Sequence, residues 1–189
     1  MRKRKVSGTM TIDYAILGLL SWKPCTGYEL KKIFEESAFM YWSGNNNQIY
    51  KSLVRLLDDG MVTNEVLHRE SSPSKKIYTI TEAGRWYLRN WIASSPESPE
   101  FKKTFLIQLA WSDQLDDGEL EELLSKYEKE VNIQIMMYRE KWKRGQYSPG
   151  RSKREIFLWD EIYENLISSC QNELDWIGRL REGLDKAKG

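Results

Sequence analysis

A chain of 189 residues with 29 Lys+Arg, 28 Asp+Glu and only 5 Pro has the balance of a folded, helix-rich protein rather than a disordered one. It is long enough for one large domain or for a small domain with an accessory one. No run of about 18 apolar residues occurs, and the basic stretch from Met1 to Met10 lacks the apolar segment of a signal peptide, so no membrane partner is expected and the protein is placed in the cytoplasm. The net charge of +1 hides an asymmetry: residues 1–93 carry 14 Lys+Arg against 9 Asp+Glu, and the remainder 15 against 19. A positive half suits a phosphate-binding module, although an uneven solvated surface would count the same.

In chain order, Arg2-Lys3-Arg4-Lys5 forms a basic arm over residues 1–10. It is either a strand-tracking arm on DNA or an extension upstream of an internal start at Met10. Thr11 or Asp13 is placed to cap a first helix carrying Ala15, Ile16, Leu19 and Leu20, which ends before Pro24. Thr26 stands three residues before Glu29, a capping-box spacing, and opens a second helix with Tyr28, Leu30, Ile33 and Phe34. After a linker containing Trp42 and Gly44, Asn45 and Gln48 repeat that spacing before a third helix with Ile49, Leu53, Leu56 and Leu57, stopped at Asp59-Gly60. The period then alternates: Val62, Asn64, Val66 and His68 share one face of a strand, and Lys76 to Ile80 form a second, joined by a polar loop from Arg69 to Lys75. Thr81 caps a fourth helix with Trp86, Leu88 and Ile92.

Helix, helix, helix, hairpin, helix is the order of a winged helix-turn-helix, assigned here to residues 11–94. In that arrangement the third helix reads the major groove. Its opening residues Asn46, Asn47 and Gln48 carry amides matched to an adenine edge, and Lys51 suits guanine or phosphate. Tyr50 and Arg55 are expected on phosphates, with Lys75 and Lys76 on the flanking backbone. The plain alternative for the Asn cluster is a polar cap and loop.

The residues Tyr14-Ala15-Ile16-Leu17-Gly18-Leu19-Leu20, Gly27-Tyr28-Glu29-Leu30, Gln48-Ile49-Tyr50 with Leu53, Leu56 and Gly60, and Tyr78-Thr79-Ile80-Thr81-Glu82-Ala83-Gly84 resemble the phenolic acid decarboxylase regulator family, called PadR. The resemblance implies a winged-helix repressor, usually homodimeric, with Tyr28, Gln48, Tyr50 and Lys76 at or near DNA. Two positions depart from the family pattern: Lys51 stands where Pro is common, and Gln48 replaces a small or hydroxylated residue. The operator sequence therefore does not carry over from relatives.

The segment from Ser94 to Pro99 reads as a linker, with Ser98-Pro99 suited to start a short helix from Phe101 to Trp111. Asp116 with Glu119 makes another capping box before a long stripe of Leu120, Leu124, Tyr127, Val131, Ile135, Tyr138 and Trp142. Gly145 to Ser152 breaks it, and Ser152 with Glu155 starts a last stripe of Ile156, Trp159, Tyr163, Leu166, Cys170, Leu174, Ile177, Leu180 and Leu184. Two amphipathic helices of about 30 residues expose more apolar area than one further short helix covers. A dimerisation domain over residues 100–189 is expected, with Tyr127, Val131, Trp159, Tyr163, Leu166, Cys170, Leu174 and Ile177 facing the partner; the larger form of the family has such a domain. The alternative is an intramolecular helical hairpin without a partner. The fold class is thus mainly α with a small β-hairpin.

Catalysis finds no support. The single histidine, His68, has no second His or Cys spaced to share a metal, and there is no phosphate loop or nucleophile elbow. Cys25 and Cys170 are expected as buried thiols without a redox role. No cofactor is expected. The partners read from the sequence are double-stranded DNA, a second copy of the chain, and a small-molecule effector for which Trp111, Trp142, Trp159 and Trp176 are candidate contacts. The competing function is a winged-helix module that binds another protein without specific DNA recognition.

Overall fold

The computed structural model describes residues 8–40, 47–69, 72–99, 103–145 and 149–187. The chain divides into two compact units, Met1–Glu97 and Ser98–Gly189. Residues 1–7 of the basic arm and the linker residues Trp42, Gly44 and Asn45 lie outside the described residues, whereas residues 8–10 of the arm belong to the first helix.

Helix α1, Gly8–Trp22, is the centre of the first unit. Ile12, Ile16, Leu17, Leu19 and Leu20 are buried, and the helix packs on α3 (Asn47–Asp58), α4 (Glu82–Ile92) and β3 (Ser72–Ile80). Because α1 begins at Gly8, Thr11 and Asp13 sit inside it and neither caps it. The Asp13 carboxylate turns inward instead and binds Arg55 of α3: Nε donates to Oδ2 at 3.0 Å and Nη2 to Oδ1 at 2.5 Å. Beside it the ring of Tyr14 lies between Trp91 at 4.4 Å and Tyr87 at 5.1 Å. Burial first, then the hydrogen bond with Tyr87, pushes the Tyr14 hydroxyl up to about 12. These contacts fix the inner side of α3 and of α4 to one helix.

The capping box of α2, Gly27–Glu36, forms as its spacing predicts: the Glu29 amide donates to Thr26 Oγ1 at 3.2 Å and the Thr26 amide to Glu29 Oε2 at 2.7 Å. Helix α3 ends in a left-handed Gly60 (φ 69°), with Gly60 N–H on the Leu57 carbonyl and Met61 N–H on that of Leu56. This is the paired closure that satisfies the last carbonyls of a helix and favours glycine at the turn. Strands β2 (Val62–Arg69) and β3 pair antiparallel, with Val62 opposite Ile80 and Leu67 opposite Lys75, and a bulge between Leu67 and Arg69. The strands therefore run through much of the segment read as a loop from Arg69 to Lys75. Ladder hydrogen bonds in a protruding hairpin need no buried face, so polar composition there did not signal a loop. A third strand, β1 (Cys25–Thr26), joins the other edge of β3, opposite Tyr78 and Ile77. Thr81 caps α4 by accepting from Gly84 N–H at 3.1 Å. Gly84 itself is required by close approach, since a Cβ there would stand 2.2 Å from the Met61 carbonyl oxygen.

In the second unit, α5 (Thr104–Ala110) starts after Lys103 rather than at Ser98-Pro99, which carries no regular structure; Phe101 lies outside the described residues. Burial of Phe105 beside Leu124 and Ile177 sets where this short helix begins. Helix α6, Asp117–Arg144, opens with the Asp116–Glu119 capping box and closes at left-handed Gly145. Helix α7, Lys153–Ala187, starts after Ser152, whose hydroxyl accepts from Glu155 N–H at 3.1 Å. The return bond goes to the amide of Arg151, one residue early.

Helices α6 and α7 pack antiparallel, as the pairs Trp142–Asp160, Tyr127–Glu173 and Glu121–Arg181 require. Their seam holds Val131, Ile135, Ile167 and Cys170, with Tyr127 and Leu174 against them, and further along Leu124 and Ile177. This corrects the sequence expectation. Tyr127, Val131, Cys170, Leu174 and Ile177 are consumed in the chain's own helical hairpin, because each stripe finds its cover on the other helix. Trp159, Tyr163 and Leu166 are half-buried. The exposed large apolar residues among the described residues of this unit are others: Leu106, Ile107, Trp111 and Leu115, Met136 and Met137, and Ile156, Phe157 and Leu158.

Candidate nucleic-acid interface

Helix α3 is divided by its periodicity. Ile49, Ser52, Leu53 and Leu56 are buried, whereas Asn47, Gln48, Tyr50, Lys51 and Val54 are exposed. Asn46 lies outside the described residues. Beside the exposed face runs a groove of about 880 Å³, walled by the start of α2, by α3 and by the hairpin. Tyr28, Tyr50, Lys75 and Lys76 all line it. Four residues from three separate elements thus meet on one surface.

The geometry has local causes. Tyr50 lies over Gly27, where a Cβ would stand 2.7 Å from Tyr50 Cε1, so the absence of a side chain at Gly27 seats that ring. Tyr28, 69% exposed, projects from the first turn of α2. Pairing of β1 with β3 holds this turn against the hairpin. Glu29 also lines the groove, but its carboxylate accepts from the Thr26 amide and hydroxyl. The amide bond is the chief reason its pKa lies below the ordinary carboxylate range; burial opposes it, and the Thr26 hydroxyl, Lys23 and Lys75 assist. The one acidic wall residue is therefore held by the fold and leaves the lysine ammonium groups and tyrosine hydroxyls to face outward.

Arg55 has a different place from that expected. Its guanidinium binds Asp13 and also reaches Ser52 Oγ at 3.2 Å. The hydrogen bond with Asp13 is the main cause that raises its pKa, against some opposing burial. Arg55 ties α3 to α1 because Asp13, buried, has a stronger claim on it than a distant surface anion. Sequence reasoning missed Gly27, Val54 and Leu67 as groove residues. Only the adjacency of Gly27 and Tyr28 hinted at the first.

Among the described residues of the C-terminal unit lie cavities of about 630 and 420 Å³. None of Trp111, Trp142, Trp159 and Trp176 lines either. Trp142 Nε1 donates to Asp160 at 2.9 Å and its ring lies parallel to Tyr163, while Trp176 meets the edge of Phe105. These rings are packing elements, and Trp111 is exposed.

A three-helix unit closed by a small antiparallel sheet and a fourth helix, joined in sequence to a long helical hairpin, defines a winged-helix protein with a C-terminal helical region. Residues 16–90 match the transcriptional regulator PadR-like family, and residues 101–185 match the virulence activator alpha C-terminal family. Over residues 16–90 the chain is similar to the PadR-like family. The negative transcriptional regulator PadR of Bacillus subtilis is 35% identical over 92 residues, covering 49% of this chain and 50% of that protein. The chain thus spans about half the length of the curated relatives it matches. Among solved structures, Bacillus subtilis PadR in complex with operator DNA superposes with a TM-score of 0.77 at 23% identity, over 90% of this chain and 97% of that one. The same protein in complex with p-coumaric acid gives 0.75 at 23% identity, over 95% and 98%. Both share the fold. Among the described residues no helix is long and apolar enough to cross a membrane.

Proposed function

We infer that this chain is a sequence-specific DNA-binding transcriptional regulator, a repressor that works in the cytoplasm as a homodimer on a pseudo-palindromic operator. The observation that carries the reading is the convergence of Tyr28, Tyr50, Lys75 and Lys76 in one groove beside the exposed polar face of α3. Lysines and tyrosines there bind backbone phosphates, and Asn47, Gln48 and Lys51 read base edges in the major groove. The name of the Bacillus subtilis relative, a negative regulator, supports repression, and the operator complex of its structural neighbour supports the ligand.

The homodimer is supported by the exposed apolar residues of the second unit, Leu106, Ile107, Trp111, Phe157 and Leu158 among them, which a second copy would cover. A small-molecule effector releases the operator by changing how the two protomers present their recognition helices, so that the half-sites no longer fit. The neighbour bound to p-coumaric acid supports the existence of an effector.

Fluorescence-anisotropy binding to the region upstream of the chain's own gene, against scrambled DNA and with Asn47→Ala beside wild type, tests this reading. Preferential binding that weakens in the variant is expected. Equal binding to both duplexes would move the protein-interaction reading forward.

A further inference from the structure

The exposed face of α3 is polar where the helix begins, at Asn47, Gln48, Tyr50 and Lys51, but one turn further on it presents Val54, 56% exposed. Nothing within the helix favours valine there. A β-branched side chain forms helix less well than Ala, Leu, Lys or Arg, and the buried side of α3 is supplied by Ile49, Ser52, Leu53 and Leu56. Val54 lines the groove together with Tyr50, Lys75 and Lys76, so a molecule lying along those residues covers it.

Leu67 is the other large aliphatic side chain exposed on the groove wall, but it comes from β2, where it stands opposite Lys75 in the hairpin. With DNA in the groove, the hairpin wall meets the flanking phosphates and sugars, and the α3 wall meets base edges. Those edges present hydrogen-bond donors and acceptors in the major groove, with one apolar group among them, the C5 methyl of thymine. An aliphatic side chain on α3 therefore has one base to recognise. Lys51 and Val54 are three residues apart on one face, about 4.5 Å along the helix axis, against a rise of about 3.4 Å for one base step. With α3 lying along the groove, Val54 meets a base pair next to the one at Lys51.

We propose that Val54 is a specificity-determining residue that packs on the methyl group of a thymine in each half-site. The proposal rests on the DNA-binding reading above and adds to it a base contact made without hydrogen bonds. Deoxyuridine presents the same donors and acceptors as thymidine and lacks only that methyl, so it isolates the contact.

Selection of bound duplexes from a randomised library by the full wild-type chain defines the preferred sequence. Each thymine in it is then replaced by deoxyuridine, one symmetric pair at a time, with affinity read by fluorescence anisotropy. One pair should stand out: losing both methyls lowers wild-type affinity about fifteenfold, about fourfold per half-site for one methyl deprived of its apolar contact. Val54→Ala withdraws both Cγ methyls, so it should bind the thymine duplex more weakly and distinguish the two duplexes by about twofold or less. Val54 is exposed and Ala is the better helix former, so the substitution does not threaten the fold. Leu67→Ala, on the hairpin wall, should keep the wild-type ratio between thymine and uracil duplexes. A preferred sequence in which no thymine methyl matters, a ratio that Val54→Ala preserves, or one that Leu67→Ala abolishes would overturn the assignment while leaving DNA recognition in place. Failure to select any sequence would overturn the DNA-binding reading and this assignment with it.

Discussion

Removing the Asp13 carboxylate should unfasten α3 from α1, and its cost follows from the exposures of the two partners. The Asp13 side chain is 9% exposed and that of Arg55 is 40% exposed, joined by two hydrogen bonds. Breaking a fully buried pair costs about 3–5 kcal/mol, whereas an exposed one contributes about 0.2–1 kcal/mol. With one partner buried and the other able to turn to water, Asp13→Ala should cost about 2 kcal/mol, between those limits. For a domain of this size that lowers the melting temperature of the N-terminal unit by about 8–16 °C. The reverse substitution should be worse. Arg55→Ala strands a buried carboxylate, whereas Asp13→Ala leaves a guanidinium that reaches solvent. Thermal unfolding followed by circular dichroism, for both single variants and the double, measures the coupling directly. Additive effects, or equal effects of about 0.5 kcal/mol in the two single variants, would refute the structural role and return Arg55 to the phosphate contact its sequence position suggests.

Three other outcomes follow from the same geometry. Gly84→Ala places a methyl against the Met61 carbonyl, a backbone atom that cannot step aside, and should cost about 3 kcal/mol in chemical denaturation; Gly18→Ala, with nothing within 4 Å, should be neutral or stabilising. Gly27→Ala displaces the Tyr50 ring, the far end of a flexible side chain, so DNA affinity should fall about tenfold while stability changes by less than about 1 kcal/mol; an unchanged affinity would remove Tyr50 from the interface. Glu29 has a depressed pKa, so its contribution is present above the unfolded carboxylate value of about 4.3 and lost as pH falls through the lower folded value. The difference in melting temperature between wild type and Glu29→Gln should therefore hold from pH 7 to about 5 and shrink below about 4.

Much of this fold was legible because its elements announce themselves locally. Thr26 with Glu29, Asp116 with Glu119, Thr81 before Gly84 and the Asp59-Gly60 stop each act within a few residues, and each appears as a cap or turn in the structure. What remained hidden was non-local. Asp13 and Arg55 are 42 positions apart, and nothing in either neighbourhood marks a pair. Strand β1 has two residues and thus no period to detect. The stripes of α6 and α7 showed that a face is covered without showing by what. Each helix covers the other, and apart from Ile156, the first residue of the last stripe, the exposed apolar residues of this unit, such as Ile107 and Phe157, are ones the stripes left out. The groove was half legible, since Tyr28, Tyr50, Lys75 and Lys76 were named singly but Gly27, which seats Tyr50, acts only through a three-dimensional contact.

The salt dependence of DNA binding tests the central claim most directly, measured by fluorescence anisotropy on the upstream duplex for wild type and for Lys75→Ala/Lys76→Ala. If these lysines neutralise phosphates, affinity falls steeply with salt in wild type, and the slope of log affinity against log salt becomes shallower by about 3–4 when two lysines are lost from each of two protomers. Binding that is indifferent to salt, or a slope the double substitution leaves unchanged, would contradict the assignment of this groove to DNA.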